Sequence, residues 1–196
     1  MVRADEHPSS LVSVERILAA ARFAAEKHAG QKRKGLALEP YINHLIEVAE
    51  LLAASSETLD VNLVMAGLLH DTIEDTDATA LDLDSRFGSD VTGLVLEATD
   101  DTSLPKDTRK ALQIESAPHK SPRAQTLKLA DKVSNLRALL KSPPAEWSSA
   151  RKREYGEWAR KVVQGFTAPN GILKAQFDQA YVELAESVKE SRQPKD

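Results

Sequence analysis

The chain has 196 residues and a mass of 21.5 kDa, enough for one domain with a sizeable core, and its 41% hydrophobic and 29% charged content excludes a disordered or membrane composition. A formal net charge of -4 lacks the basic excess that marks nucleic-acid binding. With no cysteine the chain can build neither disulfides nor thiolate metal sites, so any metal must be held by His, Asp and Glu.

The N-terminus, MVRADEHPSS, has no apolar signal region, and nothing later approaches the roughly 18 apolar residues of a membrane span, so the expectation is a cytoplasmic protein without a membrane partner. From Leu11, apolar residues recur at helical spacing through Val14, Ile17, Leu18, Ala21, Ala24 and Ala25, and Gly30 stops the pattern. After the polar loop QKRKGLALEP a second helix runs through Ile46, Ala49 and Leu52. Asp60 reads as the N-cap of a third helix through LVMAGLLHD. Shorter helices are expected near residues 79–87 and 88–99. Ser121-Pro122 places a cap before a proline at the first helical position, opening a long helix with the stripe Leu129, Val133, Leu136 and Leu140. Two further helices follow, through AEWSSARKREYGEWARKVVQGF and GILKAQFDQAYVELAESV. No alternating pattern of useful length predicts a strand. The expected organisation is an all-α helical bundle in a single domain, 1–196, with a core over about 9–188 and a frayed tail at 189–196.

Residues 68–76 read LLHDTIEDT and set four ionisable side chains at the end of an apolar run. On a continuous helix His70, Asp71, Glu74 and Asp75 fall within an arc of roughly 140°, and the same arc carries Leu63, Val64 and Gly67. Taken alone, the stretch suits a solvated helix end, because charged residues mostly sit outside. It equally suits a metal between His70 and Asp71, with Glu74 and Asp75 one turn beyond facing the same ion. Two ligands do not close a site. His44 in PYINHLIEV and Asp131 in KLADKVSNL stand out as further donors, although a lone His is more often a core residue and Asp131 lies about 200° from its helix's leucine stripe.

The ordered set RK, PYINH, LLHDTIEDT, FG, TDD at 99–101 and KLADKVSNL resembles the HD-domain hydrolases of RelA/SpoT-type alarmone enzymes, and among them the stand-alone small hydrolases of the metazoan SpoT homolog type. The resemblance runs from about Phe23 to Gly165. It implies an HD-domain bundle with one metal held by His44, His70, Asp71 and Asp131. The implied ion is Mn²⁺, and the mixed imidazole and carboxylate set is also compatible with Zn²⁺ or Fe²⁺. It further implies that Glu74 and Asp75 orient water acidified by the ion and take its proton as it attacks phosphorus. Arg33 and Lys34 fall at the family's nucleotide-contacting pair. Lys128, Lys132 and Asn135 share a polar side with Asp131, a wall for phosphate and sugar, and Lys106 and Arg109 in LPKDTRK stand at the pyrophosphate end.

Two positions depart from the family pattern: Leu38 where glycine is usual and Leu45 where proline is usual, so the LALE segment bears on base recognition. The implied activity is metal-dependent hydrolysis of guanosine tetra- or pentaphosphate at the 3′ phosphorus, giving pyrophosphate and GDP or GTP. The alternatives are hydrolysis of another nucleotide, such as NADPH or a nucleoside monophosphate, or a catalytically silent binding domain. The length leaves no room for a synthetase.

Overall fold

The computed structural model describes residues 7–190, and among these there is no strand, only an isolated antiparallel bridge between Lys32 and Pro40. The helices are α1 (His7–Lys27), α2 (Ile42–Ala54), α3 (Val61–Leu69), α4 (Thr72–Asp75), α5 (Ala80–Phe87), α6 (Ser89–Ala98), α7 (Lys106–Ser116), α8 (Pro122–Lys141), α9 (Ser149–Gln164) and α10 (Gly171–Glu190), with a 3₁₀ turn at Ala117–His119. The expected frayed tail lies, from residue 191 onward, outside the described residues.

Caps set several boundaries. Asp60 accepts from Leu63 N at 2.9 Å, Thr79 and Asp82 form a reciprocal capping box, and Ser121 accepts from Ala124 N with Pro122 in the first turn. The third helix does not run through the acidic cluster as expected. It ends at Leu69, and α4 begins at Thr72 after a turn at His70 and Asp71. His70, Asp71, Glu74 and Asp75 are therefore placed by a helix, a turn and a new helical turn.

α8 is the axis of the bundle and packs against α2, α3, α6, α9 and α10. This explains why its burial exceeds one apolar stripe. Leu127, Leu129, Ala130, Val133 and Leu136 are fully buried, and most polar residues between them are at most 7% exposed. Leu139 turns inward, while Leu140, expected in the stripe, is half-buried. On α1 the expected Val14 and Leu18 are 52% and 62% exposed, and Ala20, Phe23 and Ala24 make the core face instead. Ile46 on α2 is likewise outside at 50%, with Leu45, Val48 and Leu52 inside. Periodicity alone could not choose between these neighbouring stripes. α7 was not foreseen from periodicity, because it has no fully buried residue and its few apolar groups, such as Ile114, pack only partly.

α2 and α3 approach closely at Gly67, where an added Cβ would lie 2.6 Å from Leu52 Cδ1 and 3.3 Å from Ala49 Cα. That approach sets His70 opposite His44.

Candidate metal centre and nucleotide site

His44 in the first turn of α2, His70 after α3 and Asp131 in mid-α8 are 3%, 3% and 7% exposed, and one donor atom from each lies within 4.8 Å of the others. Asp71 completes the ring. Its Oδ2 is 3.2 Å from His70 Nε2 and 3.6 Å from His44 Nε2, while Asp131 Oδ1 is 3.4 Å from His44 Nε2 and 3.8 Å from His70 Nε2. Donors held at about 2.1 Å by a common ion stand roughly 3–3.5 Å apart, close to these separations.

The surrounding groups settle which imidazole nitrogens face the ring. His70 Nδ1 donates to the Gly67 carbonyl at 2.8 Å, since a carbonyl only accepts, which leaves Nε2 to the ring; that Nε2 is a buried nitrogen with no hydrogen-bond partner. Ser134 Oγ donates to Glu47 at 2.7 Å and so accepts from His44 Nδ1 at 2.8 Å, again freeing Nε2. Such outer contacts orient metal-ligating histidines. Tyr41 Oη donates to Asp71 Oδ2 at 2.6 Å, and its own acidity is suppressed by burial and then by Asp71. Lys132 Nζ sits 3.0 Å from Asp131 Oδ2 and 4.7 Å from the centre of the Trp158 ring.

These charges perturb one another. Burial opposes protonation of His70, yet the Asp71 and Asp131 carboxylates push its pKa up to about 10. Burial also works against ionised Asp71 and Asp131, but His70 holds the first, and Lys132 with the histidines holds the second, well below the carboxylate range. Two histidines and two carboxylates in this arrangement, oriented from behind, suit a divalent cation.

Glu74, half-buried, is held by Arg109 Nη1 and by the Asp100 backbone N–H, each at 3.2 Å, and burial raises its pKa above the usual value. Gln113 in turn donates to the Asp100 carboxylate. Asp75 is exposed and accepts from Gln31 Nε2 at 3.2 Å.

Two cavities flank the ring. The first, about 370 Å³, is lined by Arg33, Lys34, Leu38, Tyr41, Asp75 and Asn135, together with Leu139, Trp147 and Tyr155. Arg33 donates to Asn135 Oδ1 at 3.1 Å. The second, about 620 Å³, brings Glu74 together with Lys34, Lys106, Arg109, Lys110 and Arg151. Burial and the neighbouring Arg151, Lys110 and Lys34 depress the Lys106 pKa, the mark of converging positive charge. Lys128 and Lys132 line neither cavity. They are 6% and 3% exposed, and Lys128 Nζ donates to the Ala98 carbonyl at 2.8 Å, so the polar wall expected on α8 is sealed inside the bundle except at Asn135.

Periodicity and motif reading passed over Tyr41, Ser134, Glu47 and Tyr155. Glu47 stands three residues after His44 and Ser134 three residues after Asp131, a helical spacing that could have suggested supporting contacts. Nothing local signals Tyr155, which arrives from α9.

An all-helical bundle that gathers paired histidines and aspartates from three segments is the architecture of an HD domain, and the HD-domain family profile matches residues 20–173. The chain belongs to that family. Within it the chain groups with proteins named guanosine-3′,5′-bis(diphosphate) 3′-pyrophosphohydrolase MESH1. It is 47% identical to the Xenopus tropicalis protein, covering 85% of this chain and 93% of that one, and 50% identical to the Homo sapiens protein, covering 81% and 88%. A solved structure of a metazoan SpoT ortholog, described as hydrolysing ppGpp, superposes with a TM-score of 0.82 at 43% identity, over 86% of this chain and 94% of that one.

Proposed function

We propose that this chain, as one HD domain, is a metal-dependent guanosine-3′,5′-bis(diphosphate) 3′-pyrophosphohydrolase that converts the tetra- or pentaphosphate to GDP or GTP and pyrophosphate. The observation that carries the reading is the convergence of His44, His70, Asp71 and Asp131 beside two cavities rich in cations and aromatic rings. The similarity to proteins named for this reaction supports it.

The four residues would hold one divalent ion, which we take to be Mn²⁺ from the family resemblance; the mixed nitrogen and oxygen donor set is compatible with it. When bound, the ion supplies Lewis acidity that polarises a phosphoryl oxygen and acidifies water. Glu74 would orient that water and accept its proton. Its raised pKa brings it nearer the working pH than an ordinary carboxylate, and Arg109 and Asp100 fix its direction. Asp75, tied to Gln31, lines the first cavity and assists from the solvent side. The cations of the second cavity, Lys106 and Arg109 with Lys34, Lys110 and Arg151, would neutralise the phosphates. Arg33 and Asn135 would seat the nucleoside in the first cavity. Lys128 and Lys132 act from behind the site, Lys132 by orienting Asp131. Water adds to the phosphorus attached to the ribose 3′ oxygen, the P–O bond to that oxygen breaks, the proton given up by water is returned to it as the 3′ hydroxyl of GDP or GTP, and pyrophosphate is released. A free nucleotide substrate supports a cytoplasmic location and requires neither nucleic acid nor membrane.

The test is turnover of a nucleotide panel by Mn²⁺-loaded protein, with products separated by ion chromatography. Pyrophosphate and GDP from guanosine 3′-diphosphate 5′-diphosphate is the expected result. Glu74→Gln should retain metal while kcat falls by about two to four orders of magnitude. Orthophosphate as first product, or inertness of this nucleotide beside rapid turnover of NADPH, would overturn the assignment.

A further inference from the structure

Leu38 has a φ of 47°, the one positive φ outside glycine among the described residues. That region suits glycine, and for a branched, bulky side chain it is a strained outlier. The surrounding backbone shows how the turn is pinned. Leu38 N donates to the Gly35 carbonyl at 3.0 Å, Leu36 N to the Pro143 carbonyl at 3.3 Å and Ala37 N to Ser142 Oγ at 2.9 Å. Gly35 is pressed so tightly on the end of α8 that an added Cβ would lie 2.1 Å from the Ser142 carbonyl oxygen. These contacts hold the loop through its main chain, and none of them requires leucine at position 38.

The side chain gains little burial in return. Leu38 is 56% exposed and belongs to no core cluster, yet it lines the first cavity together with Ala138, Leu139 and Pro144. Glycine would meet the same backbone contacts without strain, so a bulky side chain kept in this conformation with little core packing points to a role at the site it borders. The lining is mixed: the loop and the end of α8 supply Leu38 and its apolar neighbours beside Glu39, Lys141 and Ser142, and Arg33 and Lys34 add further cations. A planar base suits the apolar part, and phosphates suit the cations.

We propose that Leu38 is a specificity-determining residue, an apolar wall that covers the face of a bound purine base and favours it over the smaller pyrimidine. This rests on the nucleotide reading given above. The wall acts on binding, because it touches a part of the substrate remote from the reacting phosphorus and serves ground and transition states alike.

Leu38→Gly and Leu38→Asn test it, since both residues tolerate the left-handed conformation and leave the loop intact. Calorimetric titration with GDP, CDP and base-free pyrophosphate is paired with steady-state kinetics on guanosine 3′-diphosphate 5′-diphosphate. In both variants GDP should bind roughly five- to tenfold more weakly, the scale of one lost apolar side-chain contact, with CDP and pyrophosphate within about twofold of wild type. KM should rise by the same factor while kcat holds, and the thermal midpoint of Leu38→Gly should not fall. GDP affinity within twofold of wild type in both variants would overturn the proposal, and so would equal losses for all three probes, which would report loop collapse. If wild type turns over guanosine nucleotides while the variants are unaltered, the proposal alone falls. A wild type that binds GDP no better than pyrophosphate removes the nucleotide reading and this inference with it.

Discussion

His70 carries two duties that conflict in the metal-free protein. Its Nδ1 is committed to Gly67, and its Nε2 faces two carboxylates that push its pKa up to about 10 from an ordinary 6.5. A folded pKa raised in this way contributes stability that is fully present below pH 6.5 and is lost as pH rises through about 10. This raised pKa predicts a protonated imidazole at pH 7 when no ion is bound, so an ion would take Nε2 only as that proton leaves. We expect close to one proton to be released per ion bound at pH 7, with apparent affinity rising as pH is raised towards 10. Titration of weakly buffered protein with Mn²⁺ on a pH-stat measures the release directly. No release at pH 7 would mean that the imidazole is already neutral. The residue types of this ring were legible in the sequence, but their protonation was not, because it depends on carboxylates brought in from positions 71 and 131.

Among the elements, α2, the turn that follows α3, and α8 carry the candidate donors, and α2 and α3 approach closely at one residue. At Gly67 a methyl group would meet Leu52 Cδ1 at 2.6 Å and Ala49 Cα at 3.3 Å, so Gly67→Ala must displace the buried Leu52 side chain and ease the two helices apart by a few tenths of an ångström. The expected cost is about 1–3 kcal/mol, read from urea denaturation of the metal-free protein. The same carbonyl accepts from His70, so metal affinity should fall as well, about 10- to 100-fold, the scale of disturbed outer contacts. A variant as stable as wild type would show that the interface is slack. The pattern of α3 was readable from its apolar run and its Asp60 cap. Its end was not, because the turn at His70 and Asp71 satisfies tertiary contacts, the Tyr41 hydroxyl among them, that no local propensity contains.

For the molecule as a whole, the donors are separated by up to 87 positions, from His44 to Asp131, so an ion held by all four would cross-link the bundle only when it is folded. Binding to the native state alone stabilises by about 2.7 kcal/mol at a free metal concentration one hundred times Kd. We expect chelation to lower the thermal midpoint and Mn²⁺ to restore it in a concentration-dependent way, measured by calorimetry. His44→Ala, which removes one donor, should abolish most of that dependence. A midpoint insensitive to metal in wild type would argue against a site closed by all four residues.

The sequence by itself determined what depends on near neighbours: helices from apolar spacing, starts from Asp60 and Ser121-Pro122, and the HD and ED pairs from their adjacency. Resemblance then linked His44 and Asp131 to them. Only the tertiary structure decided which stripe of each helix faces inward, leaving Val14, Leu18 and Ile46 outside and drawing Lys128, Asp131 and Lys132 inside. The reason is physical. The middle of a helix at the centre of a bundle is enclosed on most sides, so its polar residues are buried where partners can satisfy them, as Ala98 does for Lys128 and Asp131 for Lys132. Leu38 shows the same limit on a smaller scale. Its letter in the sequence suggests an apolar contact, but its strained backbone and its place on the cavity wall come from the docking of residues 35–38 on the end of α8, more than one hundred positions away.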